Sequence, residues 1–164
     1  MTTVAFVFPG QGSQSVGMGQ RLAAVSPAAA AVFAEADRAM DGTISQLAWA
    51  GPAEVLDRTE NAQPALLTTS IAFLAALRER WAVDGPAPQP AFLAGHSMGQ
   101  YSAMVAAGTI ELGDAVRLVR ERGRLMQASG AGREGRMAAI IGLDDDRLPE
   151  LIDRAGAHGV FGLA

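Results

Sequence analysis

The stretch that decides the fold is Ala91-Phe92-Leu93-Ala94-Gly95-His96-Ser97-Met98-Gly99, which runs on into Gln100-Tyr101-Ser102-Ala103-Met104-Val105-Ala106-Ala107. A short apolar run, a serine set between glycines and a helical pattern predict strand, sharp turn and helix in that order. At such a turn the serine backbone is strained, so that Oγ stands clear of the sheet at a helix N-terminus. Backbone N–H groups and the helix dipole there favour a developing negative charge. Glycines are required on either side because side chains would collide with the neighbouring strand and helix. The plainer reading of the bare pentapeptide is a turn with a surface serine; the flanking strand and helix favour a nucleophile elbow with Ser97 as nucleophile.

Composition narrows the chemistry around that serine. In 164 residues, 49% hydrophobic and 18% charged side chains describe a folded domain of ordinary size with a core. A net charge of −4 and scattered arginines offer no basic stripe for nucleic acid. Cysteine is absent, which removes a thiol nucleophile, a disulfide framework and a cysteine zinc site. All 13 basic residues are arginines, so neither a Schiff-base lysine nor a phosphate-loop lysine is present. No metal or cofactor is expected. The apolar run at the N-terminus lacks a preceding basic region, and no window approaches a membrane span, so a cytoplasmic protein is expected.

Ahead of the elbow, Val4 to Phe8 is a continuous apolar run ended by Pro9-Gly10, which predicts a buried parallel strand. The loop Gly10 to Gly17 is rich in backbone donors. It partly resembles a dinucleotide-binding fingerprint, but its third glycine is displaced and no acidic residue ends a second strand. Ser26 caps a helix that starts at Pro27 and stops near Met40 at Asp41-Gly42. Ile44–Ala50 and Pro52–Asp57 read as short helical pieces broken at Gly51-Pro52, and a long helix is expected from Pro64 through Trp81. The proline-dense stretch from Asp84 to Pro90 is an internal connection leading into the elbow strand.

Beyond the elbow, Gly108 ends one helix and Asp114 caps the next, which runs to about Ala128. Its apolar face is read as Ala115, Leu118, Val119, Leu125 and Met126, with Arg122 in the middle; Arg117, Arg120 and Arg124 lie on the solvated side. An inward guanidinium needs an anionic partner, because a buried unpaired charge is very costly. Either an internal carboxylate satisfies Arg122, or its stem packs while its head reaches solvent, or its partner is a carboxylate on a substrate. Ser129 to Arg136 forms a glycine-rich break. Strands are expected over Met137–Leu143 and from Val160 to Ala164, with Asp144 as a cap and a helix over Arg147–Ala155. Each part supplies few strands, so both sheets are expected to be incomplete within this chain.

Taken together, Phe8-Pro9-Gly10-Gln11-Gly12-Ser13-Gln14, Gln63-Pro64-Ala65, Gly95-His96-Ser97-Met98-Gly99 and Arg122-Gly123-Arg124-Leu125-Met126-Gln127 carry a family likeness. The sequence resembles the malonyl-CoA:acyl carrier protein transacylases and the acyltransferase domains of polyketide synthases, with the motifs in the family's order and spacing. The resemblance implies an α/β fold: residues 1–128 as the N-terminal part of a hydrolase-like parallel-sheet subdomain, and 129–164 as the start of a small ferredoxin-like subdomain. It implies a ping-pong transfer in fatty acid or polyketide synthesis. Ser97 takes a malonyl-type acyl group from coenzyme A as an ester and passes it to the phosphopantetheine thiol of an acyl carrier protein. Gln11 and Met98 would supply the backbone N–H groups of the oxyanion hole, and Arg122 would pair with the acyl carboxylate, which suits its planar fork. Gln63 and His96 are candidate walls of the site, although a helix-start role serves Gln63 equally well.

Two departures accompany the likeness. Gln100 stands where the family usually has glutamate. Family members are also about twice as long, with their catalytic histidine in the other half. The histidines here are His96, whose side chain diverges from that of Ser97 around the turn, and His158, near a helix end where a solvated role is ordinary. A C-terminal half or a second chain is therefore expected to supply the base. The rival functions are a serine esterase or thioesterase, which has no reason to bury Arg122, and a non-catalytic half that binds carrier protein.

Overall fold

The computed structural model describes residues 3–42, 44–129 and 140–159. Its sheet is built from the two apolar runs: β1 (Ala5–Phe8) and β2 (Phe92–Gly95) pair in parallel, with Ala5 opposite Phe92 and Phe8 opposite Gly95. Parallel strands need a long crossover. Here it comprises α1 (Gln20–Val25), α2 (Pro27–Ala39), α3 (Ile44–Ala50), α4 (Ala53–Leu56) and α5 (Thr59–Asp84). After β2 come α6 (Gly99–Ala106) and α7 (Leu112–Ser129), then a 3₁₀ turn (Asp145–Arg147) and α8 (Leu148–Gly156). The chain divides into two units, 1–131 and 132–164.

β1 is parallel, as its apolar run predicts, but it is not buried throughout. Paired residues of parallel strands share a face, and the face formed by Ala5, Val7, Phe92 and Ala94 is exposed, with Val7 73% and Phe92 67% accessible. The opposite face is covered: Phe8 is buried, and the Phe6 ring stacks on Trp81 of α5 with centroids 6.0 Å apart. Among the described residues, helices pack on one side of this sheet only, so the alternation of a one-sided strand replaces uniform burial.

The helical scaffold follows its local signals closely. Ser26 caps α2, its Oγ accepting from the Ala29 N–H while it donates to Glu79; the side-chain acceptor satisfies one of the N–H groups that a helix start leaves unpaired. α1 was not signalled, being short and entered through Gly19 with no side-chain cap. The helix expected from Pro64 instead begins at Thr59, with Pro64 inside it. Proline lacks the N–H that would bond the carbonyl four residues earlier. That carbonyl, on Glu60, accepts from Arg120 Nη1 at 3.2 Å, so an arginine of α7 satisfies the group the proline leaves open.

α7 begins at Leu112 rather than after Asp114, which lies in its first turn. Its buried face is Leu112, Ala115, Val116, Val119 and Gly123, whereas Leu118, Leu125 and Met126 are exposed. The difference arises at Gly123: a Cβ there would lie 2.6 Å from Glu60 Cα and from the Thr59 carbonyl, so backbone rather than side chain forms the closest seam with α5. Arg120 is correspondingly half-buried rather than solvated, also donating to Asn61 Oδ1. Arg117 and Arg124 are exposed and paired with Asp114 and Glu121. The Arg124 hydrogen bond holds the Glu121 carboxyl below its ordinary value. The core joins α2, α5 and α7 through Phe33, Leu67, Val116 and Val119, and takes in Leu56 and Met98 as well. Full burial of such side chains contributes about 1.5–3 kcal/mol each.

In the second unit, α8 keeps one stripe, Leu148, Leu151, Ile152 and Ala155, partly covered and its other residues exposed. The strand expected over Met137–Leu143 is not formed by residues 140–143, where Ile141 is 90% exposed and Gly142 has φ of 76°. A positive φ breaks strand geometry, and no partner strand lies alongside among the described residues. Residues 137–139 and the strand expected over 160–164 lie outside the described residues.

Candidate active site

The elbow takes the form its sequence predicts. Ser97 has φ of 51°, in the left-handed region that side chains other than glycine rarely adopt, and it is exposed between β2 and α6. The flanking glycines are steric necessities: a Cβ at Gly95 would lie 2.0 Å from the Gly99 carbonyl carbon, and one at Gly99 would lie 2.4 Å from Phe8 O. The turn is thereby pressed against the end of β1. The next loop is pressed equally close, since a Cβ at Gly10 would come within 2.6 Å of His96 Nδ1.

Arg122 reaches this turn from α7. Its Nη2 donates to Ser97 Oγ at 3.2 Å and its Nη1 to Gln63 Oε1 at 2.7 Å, while the guanidinium carbon lies 5.9 Å from the Tyr101 ring centroid. Of the structural fates open to an inward arginine, an internal carboxylate is not the one taken: among the described residues no ion pair includes Arg122. The head is instead held half-buried beside the serine hydroxyl. Gln63 is fully buried, and as the fifth residue of α5 it does not serve as a helix start. Its Nε2 donates to Thr59 Oγ1 at 2.8 Å and to Met126 Sδ at 3.4 Å.

Gln11 joins the same constellation through Thr59, whose Oγ1 donates to Gln11 Oε1 at 2.7 Å. The loop carrying Gln11 is also tied down by Gln14 Nε2, which donates to Asp57 Oδ1 at 2.9 Å. Neither the Gln11 nor the Met98 N–H has a backbone acceptor among the described residues. The Met98 side chain does not line the site; it is 1% exposed and packs into the core. His96 is exposed, its N–H bonded to Phe8 O, and it shares no side-chain hydrogen bond with Ser97 among the described residues. Gln100 is exposed. His158 lies in the second unit, its N–H on Ala155 O.

Thus Ser97, Arg122 and Gln63 are joined directly and Gln11 indirectly, around an exposed hydroxyl with a cation at its side. Sequence reasoning missed Thr59, Tyr101 and Met126. Thr59 and Gln63 are four residues apart on one helix face, a signal that placing the helix start at Pro64 concealed. An apolar groove of about 550 Å³ runs elsewhere, between β1 and α5, past Phe6, Leu66, Phe73 and Trp81. Among the described residues no cluster of acidic side chains and histidines could hold a metal, and no helix is long and apolar enough to cross a membrane.

Residues 5–154 match the family model described as acyl transferase domain. Malonyl CoA-acyl carrier protein transacylase of Bacillus subtilis (strain 168) is 48% identical over 159 residues, covering 97% of this chain and 48% of that protein. The crystal structure of acyl-carrier-protein-S-malonyltransferase from Bartonella henselae superposes with a TM-score of 0.88 at 44% identity, over 99% of this chain and 51% of that one. A further similar structure holds a type II polyketide synthase acyl-carrier protein in complex with its malonyl-transacylase; its TM-score is 0.78 at 36% identity, over 97% of this chain and 50% of that one. The chain spans about half the length of the curated malonyl transacylases it matches. In sequence and in fold, from β1 into α8, this chain belongs to the acyl transferase domain family.

Proposed function

We propose that this chain carries the nucleophile and acid-recognition side of a malonyl-CoA:acyl carrier protein acyltransferase, a cytoplasmic enzyme of fatty acid or polyketide synthesis. The observation that carries the reading is the Arg122 guanidinium, fixed by buried Gln63 and lying 3.2 Å from Ser97 Oγ with no carboxylate partner among the described residues. A short acidic acyl group esterified to Oγ keeps its free carboxylate within reach of that guanidinium, and the two form a charge-assisted, forked pair. A neutral acyl group leaves the cation unpaired, which is what a serine esterase would have to tolerate.

In this reading Ser97 Oγ attacks the thioester carbonyl of malonyl-CoA. The Gln11 and Met98 N–H groups stabilise the oxyanion, coenzyme A leaves as its thiol, and the malonyl ester remains on Ser97. The phosphopantetheine thiol of an acyl carrier protein then attacks the ester by the reverse sequence, restoring the serine. The proton acceptor is a histidine outside residues 1–164, from a C-terminal half or a second chain. Two observations support this: Ser97 Oγ meets Arg122 rather than a histidine, and the related transacylases are about twice as long. Residues 1–128 form the N-terminal part of a hydrolase-like subdomain and 129–164 the beginning of a ferredoxin-like one. The parallel pair ending in the elbow supports the first assignment.

Intact-mass measurement of the native protein after incubation with malonyl-CoA tests the reading. The expected result is a malonyl adduct that disappears in Ser97→Ala. Arg122→Ala should lower malonyl transfer about 10- to 100-fold more than acetyl transfer, the value of a hydrogen-bonded charge. Equal losses for both acyl groups would remove the carboxylate-binding role.

A further inference from the structure

We infer that Thr59 is a positioning residue that couples recognition of the acyl carboxylate at Arg122 to the oxyanion loop at Gln11; the inference rests on the roles of Ser97, Arg122 and Gln11 given above. Three hydrogen bonds connect the two ends. Arg122 Nη1 donates to Gln63 Oε1 at 2.7 Å, Gln63 Nε2 donates to Thr59 Oγ1 at 2.8 Å, and Thr59 Oγ1 donates to Gln11 Oε1 at 2.7 Å.

The direction of the first two links follows from the guanidinium. A guanidinium has donors and no acceptor, so it must meet the carbonyl end of the Gln63 amide. The Gln63 NH₂ therefore faces Thr59, whose hydroxyl accepts. That hydroxyl donates its single proton to the side-chain amide oxygen of Gln11, Oε1. Gln63 is 0% exposed, so water does not substitute for any of its partners. The chain of polarity thus begins at the cation that meets the substrate carboxylate and ends at the residue whose backbone N–H faces the developing oxyanion. Seating an acidic acyl group on Arg122 fixes Gln63, then Thr59, then the loop. A neutral acyl group leaves the same loop without that reference. Thr59 accordingly contributes to selectivity in the chemical step more than in binding.

The decisive experiment compares malonyl-CoA with acetyl-CoA as donors for wild-type native protein, Thr59→Val and Thr59→Ser. Thr59→Val keeps the branched shape and loses the hydroxyl. It should lower the malonyl-to-acetyl ratio of kcat/KM about 5- to 10-fold, chiefly through kcat, while Thr59→Ser stays within about twofold of wild type by retaining the same donor and acceptor. Should Thr59→Val fail to fold, Gln11→Met removes the far end of the link from an exposed loop and keeps the backbone N–H; it should lower the same ratio. A ratio unchanged in folded Thr59→Val or in Gln11→Met overturns the inference, and so does a loss that Thr59→Ser does not restore. Wild-type protein that forms no malonyl ester overturns the function proposed above as well. An ester formed normally alongside unchanged ratios overturns the coupling alone.

Discussion

Gly99 illustrates how little room separates the end of β1 from the turn that carries Ser97. A Cβ there would meet Phe8 O at 2.4 Å and Pro9 O at 2.7 Å, and both contacts are backbone, which cannot rotate away as a flexible side chain can. Gly99→Ala should therefore destabilise the protein by about 1–3 kcal/mol or more, measured by denaturant unfolding, and malonyl ester formation should fall with it as Ser97 is displaced. This part of the site was legible in the sequence because it is local: strand, glycine, serine, glycine and helix follow one another, and each residue's constraint comes from its neighbours. Arg122 was legible as an inward charge from helical periodicity. Thr59 was not, because its importance lies in partners at positions 11 and 63, one of them far away along the chain, and its own sequence surroundings look like an ordinary helix start.

Between elements, the seam of α5 with α7 does most to set the site. Gly123 lets the two helix backbones approach, and the residue before it, Arg122, is thereby carried to Ser97. The sequence reading placed Arg120 on the solvated side because it counted apolar side chains, and a buried glycine has none to count. Arg120 in fact completes α5, bonding the Glu60 carbonyl that Pro64 cannot serve, together with Asn61. Arg120→Leu should cost about 1–3 kcal/mol, the penalty for leaving a buried polar group unpaired, read as a lower urea midpoint with an unchanged slope. If the midpoint stays at the wild-type value, the Glu60 carbonyl has another partner and this account of the tolerated proline is wrong.

At the scale of the molecule, the apolar runs of β1 and β2 and the spacing of α2, α3, α5, α6 and α7 were sufficient to place a parallel pair, its crossover and the elbow. The one-sided cover of the sheet was not legible, since Val4 to Phe8 carries the uniform hydrophobicity of a strand packed on both faces while Val7 stands exposed. The strained backbone at Ser97 has a different kind of consequence, one that concerns how the protein would respond to selection. A left-handed conformation costs a residue with a Cβ about 1–2 kcal/mol, part of which glycine recovers after its own entropic loss. Ser97→Gly should therefore melt about 1–4 °C above wild type while forming no ester, a comparison that differential scanning calorimetry and mass measurement can make on the same samples. A variant library passed through heat challenge or expression screening alone would then enrich glycine at position 97 and discard the hydroxyl. At this one position the fittest folder and the working protein are different molecules, and a stabilisation campaign would need an acylation step in its screen to keep the serine.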